Sequence, residues 1–207
     1  PSTRHAQRGA AVIVNLSASN ETSGKREYRK TLLSSQSGRN VCAYVYADAG
    51  MYESTSDMVF AGNSMIYENG TLLAESAPFS GEVCEAELDV DFLFAERRRL
   101  NTFKTCYERG SEGSYFWTKA DFWTEELPAL RVFSPTPFVP EEEGARSERA
   151  ELILNMQAHA LAGRLSRANA GTAVIGISGG LDSTLALLVT ARAFDLLKKD
   201  RSGIYAY

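Results

Sequence analysis

Apolar and polar positions along the chain follow two different periods, and each period marks its own elements. Ala10–Leu16 (AAVIVNL) is a continuous, β-branched apolar run that predicts a strand buried on both faces, and the polar stretch Ser17–Gly24 predicts a loop after it. Across Lys25–Ser37 the residues Tyr28, Leu32 and Leu33 recur at helical spacing between charges, so a helix is predicted, with Gly38 and Asn40 to stop it. Val41–Ala47 (VCAYVYA) alternates and is rich in aromatic and β-branched residues, the signature of a strand. Ser64–Tyr67 and Thr71–Ala74 flank Glu68-Asn69-Gly70, and the Asn-Gly pair supplies the left-handed backbone that a tight hairpin needs. Glu85–Val90 predicts a further strand, and Phe92–Leu100 a short helix closing on Arg97, Arg98 and Arg99.

Thr102–Gly144 changes character. Pro128, Pro135, Pro137 and Pro140 fall there with the acidic run Glu141–Glu143, interleaved with Tyr115, Phe116, Trp117, Phe122 and Trp123. The prolines predict an interdomain connection, and the aromatics predict that it packs on a surface, because a disordered tether would be poor in them. In Ser147–Arg167 the residues Ile153, Met156, Ala160, Leu161 and Leu165 recur at helical spacing, with Ser147 a plain N-cap, since Ala150 stands where a capping box needs Glu or Gln. Thr172–Ile177 (TAVIGI) predicts a buried strand. Ser183–Leu197 predicts a helix with Leu185, Leu188, Val189, Ala193 and Leu196 on one stripe, and Gly203–Tyr207 the next strand. Strand, helix and strand in that order form a βαβ unit and imply a parallel sheet. No internal repeat or low-complexity tract is present.

Length and composition narrow the class. At ~150 residues per domain, 207 residues suffice for one large domain or two small ones with a proper core. Apolar residues at 44% and charged residues at 23% exclude bulk disorder and a disulfide-rich miniprotein. A net charge of −4 leaves no basic footprint for a nucleic acid or an anionic membrane, and no stretch approaches a spanning helix. Cys42, Cys84 and Cys106 are an odd count without metal-ligand spacing, which fits reduced thiols in a cytoplasmic setting and gives no support for structural zinc. The chain opens at Pro1 and stops within the apolar run Gly203–Tyr207, so a piece of a longer protein is expected.

The chemistry concentrates in Ile175-Gly176-Ile177-Ser178-Gly179-Gly180-Leu181-Asp182-Ser183-Thr184, between the predicted strand and the predicted helix. Gly179 and Gly180 let backbone approach an anion without a Cβ in the way. Free N–H groups at a helix start, with the Ser178 and Ser183 hydroxyls, can donate to phosphate oxygens. Asp182 is out of place beside an anion unless a cation bridges the two, so it reads either as a Mg²⁺ ligand or as a capping residue. Neither GxxxxGK[ST] nor GxGxxG fits. The stretch resembles the SGGxDS loop of the ATP pyrophosphatases, which cleave ATP between its α and β phosphates.

Several families share that loop, and the rest of the chain chooses among them. Val174–Phe194, the preceding Asn155-Met156-Gln157 with His159, and Pro137-Phe138-Val139-Pro140 resemble glutamine-dependent NAD synthetase. Upstream, Asn15-Leu16-Ser17-Ala18-Ser19, Gly24-Lys25, Ala43-Tyr44-Val45-Tyr46-Ala47, Glu53-Ser54-Thr55 and Met65–Gly70 resemble the second half of that family's nitrilase-type glutaminase domain. The resemblance implies an α/β chain with a partial nitrilase-type α/β sandwich over 1–101 and a connector over 102–146. Residues 147–207 would begin a doubly wound parallel-sheet ATP-pyrophosphatase domain. It also implies an ATP-dependent carbon–nitrogen ligase that amidates deamido-NAD to NAD through an adenylate, using ammonia from glutamine, in a homo-oligomer. ATP and Mg²⁺ would be held by Gly176, Ile177, Ser178, Gly179, Gly180, Leu181, Asp182 and Ser183, with Asp182 the metal ligand. Glutamine would be held by Ser19 and Lys25, the latter where family members also carry Arg.

The chain departs from the family in one respect. The nucleophilic Cys of the glutaminase, with its Glu and Lys, finds no match here, so no catalytic residue is assigned and the isolated chain is expected to be inactive. Cys42 reads as a core residue and Cys84 and Cys106 as surface or half-buried thiols. Lys25 is either a substrate anchor or a solvated first-turn residue. His159 reads as packing or surface, with Asn155 and Gly163 at i±4, and His5 as an isolated terminal residue. Arg97–Arg99 and Glu141–Glu143 read as solvated, and Tyr115–Trp123 as connector packing. Two other readings stay open: another amidotransferase with the same loop, as in GMP or asparagine synthetases, or a chain that binds ATP without turning it over.

Overall fold

The computed structural model describes residues 1–105, 115–120 and 131–207. Cys106, Phe122, Trp123 and Pro128 lie outside the described residues. The chain divides into two compact units, Pro1–Arg131 and Val132–Tyr207, both of α/β type.

In the first unit, α1 (Ser2–Gln7) leads into β1 (Val12–Ser17), then α2 (Lys25–Asn40) and β2 (Ala43–Asp48). β2 continues through a long loop to β3 (Met65–Glu68) and β4 (Thr71–Glu75), then α3 (Val90–Arg99) and α4 (Asn101–Thr105) follow. The sheet runs β1-β2-β3-β4: β1 pairs parallel to β2 across the α2 crossover, and the other pairs are antiparallel. The β3–β4 hairpin turns at Asn69 (φ 46°) and Gly70 (φ 87°), the left-handed pair that the Asn-Gly signal predicts.

Three expectations are corrected in this unit. Gly38 lies inside α2, which runs on to Asn40 and ends at Val41 in the left-handed region. A Cβ on Gly38 would stand 3.4 Å from the Gly70 Cα, so this glycine serves close packing of helix on hairpin turn. The segment 85–89 is not a strand; Asp89 instead caps α3, accepting from the Phe92 N–H at 2.8 Å. β1 is not buried on both faces. Ile13 faces a core of Ala6, Leu33, Cys42, Tyr44, Tyr46, Met65 and Tyr67, while Val14 and Leu16 are 61% and 82% exposed because no described element covers their side.

Arg97 corrects a fourth. One turn after the fully buried Leu93, it shares that residue's inward face rather than the solvated helix end. Its guanidinium donates to the carbonyls of Val41 (2.9 Å), Ala10 (2.7 Å) and Asn40 (3.3 Å) and lies over the Phe103 ring at 5.0 Å. Burial pushes its pKa below the ordinary arginine range. The clamp ties the approach to β1 to the left-handed Val41 that ends α2, just before β2. His5 is likewise not isolated: its ring meets Tyr115 edge-on at 5.2 Å between centroids.

In the second unit, α5 (Glu143–Arg167) precedes β5 (Ala173–Ile175), α6 (Leu181–Leu196) and β6 (Ile204–Ala206). β5 and β6 pair parallel around α6, so the predicted βαβ unit is present. α5 starts four residues before Ser147, which therefore caps nothing, and Glu143 occupies the first turn where the helix dipole favours an acid. The predicted apolar stripes match the buried faces only in part: Val189 and Ala193 of the α6 stripe are buried, and none of the α5 stripe is fully so. α5 buries Ala158 and Ala162 and α6 buries Val189, Thr190, Ala193 and Phe194, while Ile153, Met156, Leu185, Leu188 and Leu196 stay exposed. On α5 the buried positions are alanines, whereas α6 buries the large Phe194 beside Val189, Thr190 and Ala193. β5 is short and Val174 is 71% exposed, against the expectation of a buried strand. Among the described residues, no helix is long and apolar enough to cross a membrane.

Candidate functional sites

Each unit carries one candidate site, at the end of a strand that leads a parallel pair. In the first unit, the loop from β1 to α2 brings Ser19 and Lys25 to a cavity of about 500 Å³, which Asn15, Ser17, Tyr44 and Tyr46 also line. The loop is tied down along its length. The Ser19 N–H donates to Asp48 Oδ1 at 3.1 Å, and the Glu21 N–H to the Val59 carbonyl at 2.7 Å. Arg29, 4% exposed, pairs with Glu21 and points a second nitrogen at the Ser19 carbonyl, 3.5 Å away.

Lys25 opens α2, and its Nζ donates to both the backbone and the side-chain oxygen of Asn20, each at 2.7 Å. The ammonium therefore sits at the cavity wall, held against the loop. Below it, burial raises the phenols of Tyr44 and Tyr46, so both remain neutral donors at physiological pH. The wall offers the Lys25 and Arg29 cations, several hydroxyls and the amides of Asn15 and Gln36. That set suits a small zwitterion carrying an amide group.

Neither described thiol, Cys42 or Cys84, is suited to act as a nucleophile. Cys42 is fully buried, and burial pushes its thiol up to about 11, with Arg97 pulling weakly the other way. Burial also raises Cys84. A reactive cysteine needs the reverse shift.

In the second unit, β5 ends at Ile175 and the chain turns through Gly176–Gly180 into α6. The ladder continues into the loop: the Ile177 N–H donates to the Tyr207 carbonyl, and the Tyr207 N–H to the Ile175 carbonyl. Gly179 adopts φ +82°, a conformation that favours glycine, and a Cβ built there meets nothing within 4 Å. Gly180 is the N-cap of α6 and receives no side-chain cap. The Ser183 and Thr184 hydroxyls donate back to the Gly180 carbonyl at 3.0 and 2.9 Å, and the Ser178 and Ser183 oxygens stand 3.4 Å apart. The Gly180 N–H meets the Ser178 Oγ at 3.5 Å, and the exposed, uncapped first turn beside two hydroxyls is an arrangement that suits a phosphate group.

Asp182 lies exposed in the first turn of α6 and does not cap it. No group of three or more potential metal ligands occurs among the described residues. A single carboxylate beside a phosphate loop still suits Mg²⁺, which takes one or two protein carboxylates and completes its shell with phosphate and water. Sequence reasoning missed Asp48, Arg29 and Asn20, which hold the first loop. Their contacts join residues that no local motif relates.

No family model matches the chain. Among curated proteins, the glutamine-dependent NAD(+) synthetases of Mycobacterium bovis and Mycobacterium leprae are 39% and 40% identical over 213 aligned positions, covering all of this chain and 31% of each relative. That of Aquifex aeolicus is 27% identical over 203 positions, 95% of this chain and 32% of the relative. The chain spans about a third of the length of the curated relatives it matches. Among solved structures, the Caenorhabditis elegans NitFhit protein aligns with TM-score 0.43 and 24% identity over 49% of this chain and 24% of its own. A glutamine-dependent NAD+ synthetase from Acinetobacter baumannii, in complex with ADP, aligns with TM-score 0.38 and 20% identity over 98% of this chain and 29% of its own. The resemblance read from the sequence is thus borne out along the whole chain.

Proposed function

We propose that this chain, similar along its whole length to glutamine-dependent NAD synthetases, supplies two working parts of such an enzyme: a glutamine-binding wall and an ATP pyrophosphate loop. The observation that carries the reading is Ser178-Gly179-Gly180-Leu181-Asp182-Ser183 at the uncapped start of α6, between two parallel strands.

In the second unit, the amides of Gly180–Ser183 and the Ser178 and Ser183 hydroxyls hold the β,γ-phosphates of ATP. A carboxylate oxygen of deamido-NAD attacks the α-phosphorus, the bond to the α,β-bridging oxygen breaks, and pyrophosphate leaves on the loop. Ammonia then attacks the acyl carbon, loses a proton and displaces AMP, which yields NAD. Fixed N–H dipoles aimed at the leaving group stabilise charge as it develops and need no reorganisation at the moment of reaction. Asp182 would hold Mg²⁺, which supplies charge neutralisation to the phosphates.

In the first unit, Lys25 receives the α-carboxylate of glutamine, and Ser19 receives its amide or carboxylate. The nucleophilic Cys with its Glu and Lys belongs to other parts of the whole protein, consistent with a Cys42 too buried to react. The isolated chain is inactive on this reading. It would work in the cytoplasm, within a homo-oligomeric protein. The test is AMP formation by the intact protein with Mg-ATP, a nitrogen source and one acceptor at a time. AMP that depends on deamido-NAD supports the reading. AMP that depends on xanthosine monophosphate or aspartate instead overturns it in favour of another amidotransferase.

A further inference from the structure

Parallel pairing sets Asp48, the last residue of β2, opposite Ser17, the last of β1, and the Ala49 N–H closes the ladder on the Ser17 carbonyl at 2.9 Å. The Asp48 carboxylate therefore stands at the mouth of the loop that carries Ser19. Its Oδ1 accepts from the Ser19 N–H and from the Tyr46 hydroxyl, both at 3.1 Å. Its Oδ2 is buried and finds no partner among the described residues, so one oxygen does all of the holding. On the other side of the same residue, the buried Arg29 guanidinium faces the Ser19 carbonyl. Ser19 is thus pinned through both of its backbone groups, the N–H by a carboxylate and the C=O by a guanidinium.

We propose that Asp48 is a positioning residue for glutamine, acting through Ser19. It touches no substrate. It fixes the φ and ψ of the residue that does, and Tyr46 in turn fixes the carboxylate. The inference rests on the reading of Ser19 and Lys25 as glutamine contacts. A loop ordered before the substrate arrives spares binding the cost of ordering it, so loss of the acceptor raises the KM for glutamine and leaves the ammonia reaction alone.

The experiment measures NAD formation by the intact protein with glutamine and, separately, with ammonia. Asp48→Ala is expected to raise the glutamine KM about tenfold or more, the size set by one charge-assisted hydrogen bond. Its ammonia KM and ammonia-supported kcat should match the wild type. Asp48→Asn keeps an acceptor in place and should stay within about threefold of the wild-type glutamine KM, by the same bond count. Asp48→Glu displaces the acceptor while keeping charge and polarity, and should behave like Asp48→Ala even if the alanine variant does not fold. Ser19→Ala separates the two claims. If it raises the glutamine KM while Asp48→Ala and Asp48→Glu do not, the positioning role is overturned and the glutamine site stands. If Ser19→Ala leaves the glutamine KM unchanged, the glutamine reading falls and takes the role of Asp48 with it. Parallel losses with ammonia, or an Asp48→Asn variant as impaired as Asp48→Ala, would assign Asp48 to general stability and overturn the proposal.

Discussion

In the first unit the candidate loop is held by residues from three other places in the chain: Asp48 at a strand end, Arg29 in the helix, and Val59 in the loop before β3. In the second unit, the loop residues Ser178–Asp182 are exposed, and the side-chain bonds of the loop close within 178–184. On the proposed function, the difference follows from what each site would recognise. A wall of side chains that reads a small zwitterion has to be kept in place by a second layer. A phosphate cradle made of backbone amides needs only a helix start and a residue free to take positive φ. Damage to function and damage to folding should therefore separate in the second unit and overlap in the first.

The strongest attempt to break that contrast is Asp182→Ala, with Gly180→Val beside it. Each should lower AMP formation by about 100-fold or more, the scale of losing charge stabilisation in a transition state. Asp182→Ala should leave the unfolding midpoint unchanged and Gly180→Val should lower it only slightly, through the poorer N-cap, because neither side chain position touches the core. A fall in midpoint that matches the fall in activity would show that the loop is structural after all.

Arg97→Met is the first unit's counterpart. It leaves three carbonyls, those of Ala10, Asn40 and Val41, without their donor and should cost about 3 kcal/mol. Hydrogen exchange should accelerate in β1 and β2 and stay unchanged in α6. Equal acceleration in both units would remove the distinction between them.

Gly203→Ala should cost about 1–3 kcal/mol in the second unit. Its Cβ would stand 2.8 Å from the Gly171 carbonyl oxygen and 3.1 Å from the Phe194 ring, and only backbone or a core aromatic could yield. Faster amide exchange confined to β5, β6 and α6 is the expected outcome.

Alkali should act on the first unit. The Cys42 thiol lies near 11 in the fold against an ordinary 9.0, so the neutral form stabilises the fold fully below pH 9 and that contribution is lost as pH rises through 11. Tyr44, Tyr46 and Tyr67 are raised by burial as well and add to the slope. Urea midpoints followed from pH 8 to pH 11 should fall, and Cys42→Ala should flatten part of that fall. The smallest effect is expected at the exposed Arg201–Asp195 pair, where Arg201→Ala should leave thermal unfolding within error.

What could be read from the sequence depended on the range of the determining contact. The Asn69-Gly70 turn and the βαβ unit around Ser178–Ser183 were legible because their causes are local: two left-handed residues in one case, a period change across a glycine pair in the other. The run of α2 through Gly38 was not, since the turn it packs against lies about thirty residues on, at Gly70. Nor was Arg97, whose three acceptors come from residues far back in the chain. Helical spacing in Ser147–Arg167 and Ser183–Leu197 predicted both helices, but it missed the buried residues of α5 and found those of α6 only at Val189 and Ala193. Large apolar residues mark a face that could be buried, whereas on α5 the buried positions are the small Ala158 and Ala162. At the first site Ser19 and Lys25 could be named from family resemblance, but the residues that hold them could not.

The most direct test of two separate sites on one chain is NAD formation by the intact protein from glutamine and from ammonia, comparing Lys25→Ala with Asp182→Ala. The account predicts that Lys25→Ala loses the glutamine reaction and keeps the ammonia reaction, while Asp182→Ala loses both. A Lys25→Ala variant that fails equally with ammonia, or an Asp182→Ala variant that still makes NAD from ammonia, would contradict it.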